Sequence, residues 1–485
     1  MTEKVEVALG RLAGAKAASY LKAVNEPEAR ASAFTASIML KTDLAYLMCS
    51  AEMKLMPADT ARRLTAAVLQ CLDELPGRDT TQPPGDIVGQ REKWVTQLVD
   101  KQDAAWLHLA RNRGESLRNY IPRLFFRNAL HIQGQEIAKM VQNLVQRAEG
   151  LLDALAPNYH HLQHSGLATV GEYLLSWAVT FERHVQRLKQ VDARLDMGPS
   201  TFGGRTQTNE LFDKVSARLG FSRRARLRRD GIWMQDQFTE PFFVLALIAV
   251  DLARLAQDLR IWMTPEFSMF DLADEHAGGS SGLPHAKVPF GLQQVVGAGV
   301  LSSTRLSGEM ASAAAGPSEG SEALYRSDTL FQNALDITAN TTYMAEVIAK
   351  GGFRLEEMAR NALLDYAGTS EAHDRLVYDF GVPFRLGHRI LGAIVRAHYY
   401  GEPLPDLNAL LRSETGKDYN VDQAEITVIV LGKVIWPTTI DAPELRRIWQ
   451  DMNAKAKAAA EAFAGDSVVT RALDKVVRDA RAFAV

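Results

Sequence analysis

Gly278-Gly-Ser-Ser-Gly-Leu-Pro-His-Ala-Lys-Val-Pro289 is a run of glycine, serine and proline set between segments of strong helical periodicity. Long loops inside a helical domain are uncommon unless they bind or cover something. We read this one as an active-site loop, with a structural connector as the alternative. A second enrichment in the same residue types, Ser302 to Gly320, receives the same reading.

Outward from the loop, apolar residues recur at three- and four-residue spacings. They do so in Ala33–Ala51, Ala58–Leu75, Ala129–Leu155, Gly171–Leu195, Thr239–Trp262 and Ala334–Lys350. Pro57-Ala-Asp59 and Asp441-Ala-Pro443-Glu444 read as helix starts. Alternating runs are nearly absent, Ile426–Leu431 being the best candidate for a strand. The expected fold class is all-α. Helices of 24 to 27 residues would be roughly 36 to 40 Å long, which suits a long bundle. Pro403-Leu-Pro405 opens a smaller C-terminal helical region.

The chain has 485 residues, enough for more than one domain. A net charge of −3 makes no electrostatic case for nucleic acid or an anionic membrane. The only cysteines, Cys49 and Cys71, lie in apolar helical settings and read as core thiols. The first sixteen residues lack the apolar stretch of a signal peptide, and Phe242–Val250 is too short to span a bilayer. The expected location is the cytoplasm. The basic run Ser222–Arg229 reads as solvated surface or a subunit contact, and Trp177, Trp233 and Trp262 read as core.

Five segments, in order, resemble the argininosuccinate lyase family of the fumarase/aspartase superfamily. The loop 278–289 resembles the signature G-S-S-x-M-P-x-K-x-N-P. Leu107-His-Leu-Ala-Arg-Asn-Arg-Gly-Glu115 resembles L-H-x-G-R-S-R-N-D, and Tyr159-His-His-Leu-Gln163 resembles Y-T-H-L-Q, with a long helix expected over Thr169–Arg187. Leu255–Phe267 resembles the helix that leads into the signature loop. Tyr378-Asp-Phe-Gly-Val-Pro-Phe-Arg-Leu-Gly-His-Arg389 resembles the family's G-V-P-F-R-x-A-H segment. The resemblance implies a long central helical bundle (110–355) flanked by two smaller helical domains (1–109 and 356–485). It also implies a cytoplasmic, cofactor-free homotetramer whose active sites each draw on three subunits. The implied reaction is an elimination in which a serine removes the proton beside a carboxylate and an amine leaves.

Carried over position by position, Ser280 takes the place of the base and His161 that of the histidine on the leaving-group side. Asn112, Arg113, His160, Gln163, Ser281 and His285 fall at or near substrate-binding positions. Several positions depart from the family pattern. Gly114 stands for its asparagine, Ala286 for the catalytic lysine, Val288 for a carboxylate-binding asparagine, and Gln293 for the glutamate that partners the histidine. Lys287 is one residue from the lysine position and is the candidate to stabilise the enolate-like intermediate. A glutamine can hydrogen-bond an imidazole but cannot stabilise an imidazolium by charge. Histidines 160, 161, 164, 276 and 285 invite the thought of a metal, but no acid has helpful spacing, so no metal is expected.

Hydrogen bonds to a charged group contribute about 1.5–3 kcal/mol each. Losing three would cost about 4.5–9 kcal/mol, some three to six powers of ten in rate. The expected function is therefore a carbon–nitrogen lyase acting on a small carboxylated substrate other than argininosuccinate, in either direction. A catalytically silent homologue serving as a binding or regulatory partner is the alternative. Elimination or cycloisomerisation without nitrogen also stays open.

Overall fold

The computed structural model describes residues 16–80, 87–111, 116–198, 206–227, 230–231, 235–315, 327–433 and 442–485. Among these residues the fold is all-α, relieved by two small two-stranded antiparallel sheets. Helices α1 (Ser32–Glu52) and α2 (Ala58–Glu74) pack together near the N-terminus. Five long helices follow: α3 (Ile121–Glu149), α4 (Val170–Leu195), α5 (Asp236–Trp262), α6 (Phe290–Ala315) and α7 (Ser327–Lys350). They run for 29, 26, 27, 26 and 24 residues, so each is roughly 36 to 44 Å long.

Local chemistry starts these helices where they start. Pro122 occupies the first turn of α3, where its missing N–H costs nothing. Thr169 Oγ1 accepts the Glu172 N–H at 3.0 Å and caps α4. Burial then holds them together, α3 lying against α4 and α7, and α5 against α6. Leu130, Val141, Leu174, Phe181, Phe242, Leu252, Phe331 and Ile348 are buried in their common core. Each such side chain contributes about 1.5–3 kcal/mol on leaving water. One polar link crosses that core: Gln133 donates to Thr341 Oγ1 and accepts from Thr338 Oγ1, both at 2.8 Å.

Helix α8 (Phe384–Tyr400) belongs to a separate apolar core with Leu376, Leu411, Ile426 and Val430. The last two helices return to earlier parts of the molecule. α9 (Ala442–Ala462) lies on α3 and α4, and α10 (Val468–Phe483) lies on α1 and α2. No helix among the described residues is long and apolar enough to cross a membrane.

Three expectations need correction. The helix expected over Ala129–Leu155 ends at Glu149, and Leu155–His160 is instead strand β1, paired with β2 (Gln163–Thr169). Pro157 cannot donate to a helical ladder and fits the edge of a hairpin. Ile426–Leu431 does not form a strand, because Gln423–Val430 is a helix whose start is capped by Asp422 Oδ1 accepting the Glu425 N–H. Ile426, Ile429 and Val430 are its buried face, a helical spacing hidden within a β-branched run. Finally, the second expected loop is helical from Ser302 to Ala315, while 316–320 lie outside the described residues. Its serines and threonines bond back to the preceding turn, Ser303 Oγ to Gly299 O at 3.0 Å and Thr304 Oγ1 to Leu301 O at 2.9 Å.

Candidate active site

The signature-like loop leaves α5 by way of strand β3 (Phe270–Asp271), which pairs with β4 (Gly352–Phe353) just beyond α7. It is a closed loop. Gly278 N–H donates to Val288 O at 2.8 Å, and Val288 N–H returns a bond to Gly278 O at 2.7 Å. A Cβ on Gly278 would stand 2.3 Å from the ring of the exposed Phe290, so a larger residue at that closure would have to push the ring aside. Val288 thus ties the loop through its backbone, at the position where the family pattern has a substrate-binding asparagine.

Within the loop, Ser280 Oγ accepts the N–H groups of Gly282 at 3.3 Å and Leu283 at 3.1 Å. Two amides directed at one hydroxyl oxygen stabilise negative charge there, which is the need of a serine acting as base. Ser281 and His285 are exposed on the same loop. Lys287 pairs through Nζ with Asp271 at 3.1 Å and with Asp274 at 2.7 Å. The hydrogen bond that Lys287 donates to Asp274, with that to Asp271, raises its pKa above the ordinary lysine value despite partial burial. The ammonium is therefore charged, and its charge is matched by two carboxylates.

His160, His161 and Gln163 sit together at the tip of the β1–β2 hairpin, all exposed. His161 and Leu162 form its two-residue turn with φ of 56° and 59°. Such a turn favours glycine or asparagine, so holding a histidine and a leucine left-handed stores backbone strain. The His160 and His161 rings meet edge to face with centroids 4.3 Å apart. Asn112 and Arg113 lie outside the described residues. Just before them, Arg111 is buried over the Tyr46 ring and donates to Asp43 Oδ1 at 2.6 Å.

The structure thus brings Ser280, Ser281, His285 and Lys287 onto one loop, and His160, His161 and Gln163 onto one hairpin tip. No hydrogen bond, ion pair or ring contact joins the two groups among the described residues of one chain. A cavity of about 480 Å³ between the C-terminal ends of α3 and α7, lined by Asn143, Gln146, Arg147 and Phe353 among others, contains none of them.

Sequence reading missed how the loop is held. Tyr343 OH donates to His276 O at 3.0 Å, His276 Nε2 meets Glu346 Oε2 at 3.2 Å, and Lys350 pairs with Glu275 at 2.7 Å. Tyr343, Glu346 and Lys350 recur at helical spacing along α7, a stripe that periodicity could have marked as one face.

A family model described as Lyase matches residues 85–300. The argininosuccinate lyase of Methanoculleus marisnigri is 25% identical, with 99% of each chain covered. The chain is thus similar to argininosuccinate lyases along nearly its whole length. The argininosuccinate lyase of Hyphomonas neptunium is 29% identical over 66% of this chain and 70% of that relative. Among solved structures, an EDDS lyase variant with bound fumarate has a TM-score of 0.78 at 20% identity, covering 97% of this chain and 96% of that one. A 3-carboxy-cis,cis-muconate lactonizing enzyme from Pseudomonas putida has a TM-score of 0.63 at 19% identity, covering 93% and 95%. At these identities the structures establish the shared fold.

Proposed function

We propose that this chain is a divergent argininosuccinate lyase-like enzyme, a lyase performing non-oxidative β-elimination with carbon–nitrogen cleavage that yields fumarate or a related unsaturated acid. The reverse addition of an amine is the same reaction run backwards, and the substrate is a carboxylated molecule other than argininosuccinate. The observation that carries the reading is the closed loop with two backbone N–H groups directed at Ser280 Oγ. Ser280, ionised to solvent as the alkoxide that the two N–H groups stabilise, takes the proton beside the carboxylate, the C–H electron pair becomes the double bond, and the amine leaves with the C–N pair. His161 supplies the proton to that amine. Lys287 and the loop amides stabilise the enolate-like intermediate, while Asn112, Arg113, His160, Gln163, Ser281 and His285 hold the substrate. No step in this scheme calls for a cofactor.

The site is complete only when copies of the chain assemble, and we take the assembly to be a cytoplasmic homotetramer. The exposure of both candidate groups on separate elements supports this. So do the exposed apolar side chains of the long helices: Val300 is 65%, Met310 58% and Phe243 48% exposed. Apolar surface of that kind on bundle helices marks an interface.

The test is ultraviolet absorbance of the unsaturated acid on incubating N-substituted aspartates and succinyl-amines with the protein and with Ser280→Ala. Loss of the general base lowers the rate roughly 10²–10⁴-fold. Equal rates on a turned-over substrate would overturn the mechanism. A specific observation favours a second reading, a catalytically silent homologue: the Lys287 charge is already matched by Asp271 and Asp274. Thermal stabilisation by no dicarboxylate or amino acid, with no turnover of the panel, would support it.

A further inference from the structure

His276 lies four residues before Ser280 and takes no part in the scheme above. Its side chain is only 7% exposed, and Glu346 holds its Nε2 at 3.2 Å. Its Nδ1 is buried and has no hydrogen-bond partner. With Nε2–H donating to the carboxylate, Nδ1 is a buried acceptor without a donor, an arrangement that folds rarely keep without a use. Tyr343 fixes the same place. Its hydroxyl holds the His276 carbonyl, its ring lies edge-on to the imidazole at 5.7 Å, and Gly291, just past the loop, packs so close that a Cβ would stand 2.2 Å from the Tyr343 ring. One face of α7 therefore grips the loop where it begins and where it ends. Inside that grip, the N–H groups of Gly279, Ser280 and Ser281 donate to no group among the described residues.

We propose that His276, oriented by Glu346, is a positioning residue for Ser280, its Nδ1 receiving a backbone N–H of the Gly279–Ser281 segment when the loop closes over the substrate. Gly279 lies three residues on from His276, the spacing at which a capping side chain receives a backbone N–H, and Ser280 and Ser281 lie four and five on. The bond would fix the loop in the conformation that presents Ser280 Oγ. This inference rests on Ser280 being the base.

Two substitutions separate the nitrogens. His276→Asn keeps an acceptor near Nδ1 and gives up the Glu346 contact, whereas His276→Gln does the reverse. We expect His276→Gln to lower kcat roughly 10²-fold with KM nearly unchanged, as for a misplaced reacting group, and His276→Asn to recover most of that loss. Equal activity of the two variants, or a wild-type kcat for His276→Gln, overturns the inference. Ser280→Ala run beside them keeps the two claims apart: if it retains activity, the reading of Ser280 fails, and if it alone loses activity, only the role of His276 fails. The second measurement needs no turnover. With fumarate added at high concentration, amide hydrogen exchange over 277–289 should slow in wild type and His276→Asn but not in His276→Gln at unchanged unfolding midpoints, and identical exchange in all three proteins counts against the role.

Discussion

Replacing Lys287 with methionine separates holding a loop from doing chemistry, because the two roles carry very different magnitudes. In the structure the lysine side chain is 33% exposed and pairs with Asp271, itself 46% exposed, and with the almost fully exposed Asp274. Solvent screens pairs of this kind, and the Asp271 pair contributes at most about 1 kcal/mol. A loss of that size moves the unfolding midpoint by about 2–4 °C or less in a large domain. The sign with pH follows from the raised lysine pKa. The contribution is fully present below the unfolded lysine value of about 10.4 and fades as pH rises through the higher folded value. Stabilising an enolate-like intermediate is a larger matter, since removing one such preorganised group typically costs about 10²–10³ in kcat. We therefore expect Lys287→Met to lower kcat by that factor on whichever N-substituted aspartate is turned over, with an unfolding midpoint close to wild type. Asp274→Asn should leave the midpoint unchanged and hold or raise kcat, because it releases the ammonium from one carboxylate. The assays are steady-state absorbance and differential scanning fluorimetry on the same preparations. A Lys287→Met variant within tenfold of wild type would refute the electrophilic role and leave the lysine as a tie across the base of the loop.

Three more outcomes can be checked. Asp43 is buried between Arg91 at 3.4 Å and Arg111 at 2.6 Å, so Asp43→Asn strands two buried guanidinium groups; we expect a loss of about 3–5 kcal/mol in urea unfolding, and a loss under 1 kcal/mol would contradict the arrangement. Burial pushes the Cys49 and Cys71 thiols up to about 11, so neither should react with an aromatic disulfide at pH 8 in native protein, and both should react in urea. Burial likewise raises the pKa of Asp258, which accepts from Tyr173 OH at 3.2 Å. The folded state then binds a proton there more tightly than the unfolded state, so this group costs stability at neutral pH and the cost fades as pH falls through the raised value. Asp258→Asn should raise the midpoint at pH 7 and lose that advantage at pH 4; an equal shift at both would show that charge is not the cause.

Much of this protein was legible before folding. Three- and four-residue apolar spacings outlined the long helices because burial of one helical face is a local property of sequence. The loop 278–289 stood out by its glycine, serine and proline content between helical segments. Where patterns competed, tertiary structure decided. Ile426–Leu431 carried β-branched residues yet folded as helix, since its buried positions faced one small core. Ser302–Ala315 carried loop residues yet extended α6, since hydroxyls can satisfy themselves on the preceding turn. The hairpin that carries His161 was hidden because its turn uses neither glycine nor asparagine. We keep the division at residues 109 and 355 as a proposal about chain segments; in space, α10 packs on α1 and α2 from the far end of the chain. Sequence alone determined the fold class, the family resemblance and the identity of the loop. Only the tertiary structure decided what holds that loop: Asp271 and Asp274 on Lys287, and Tyr343 and Glu346 on His276. Asp271 lies sixteen residues from Lys287, and Glu346 lies seventy residues from His276. Pairings across such separations depend on how helices pack, and local periodicity carries no record of them.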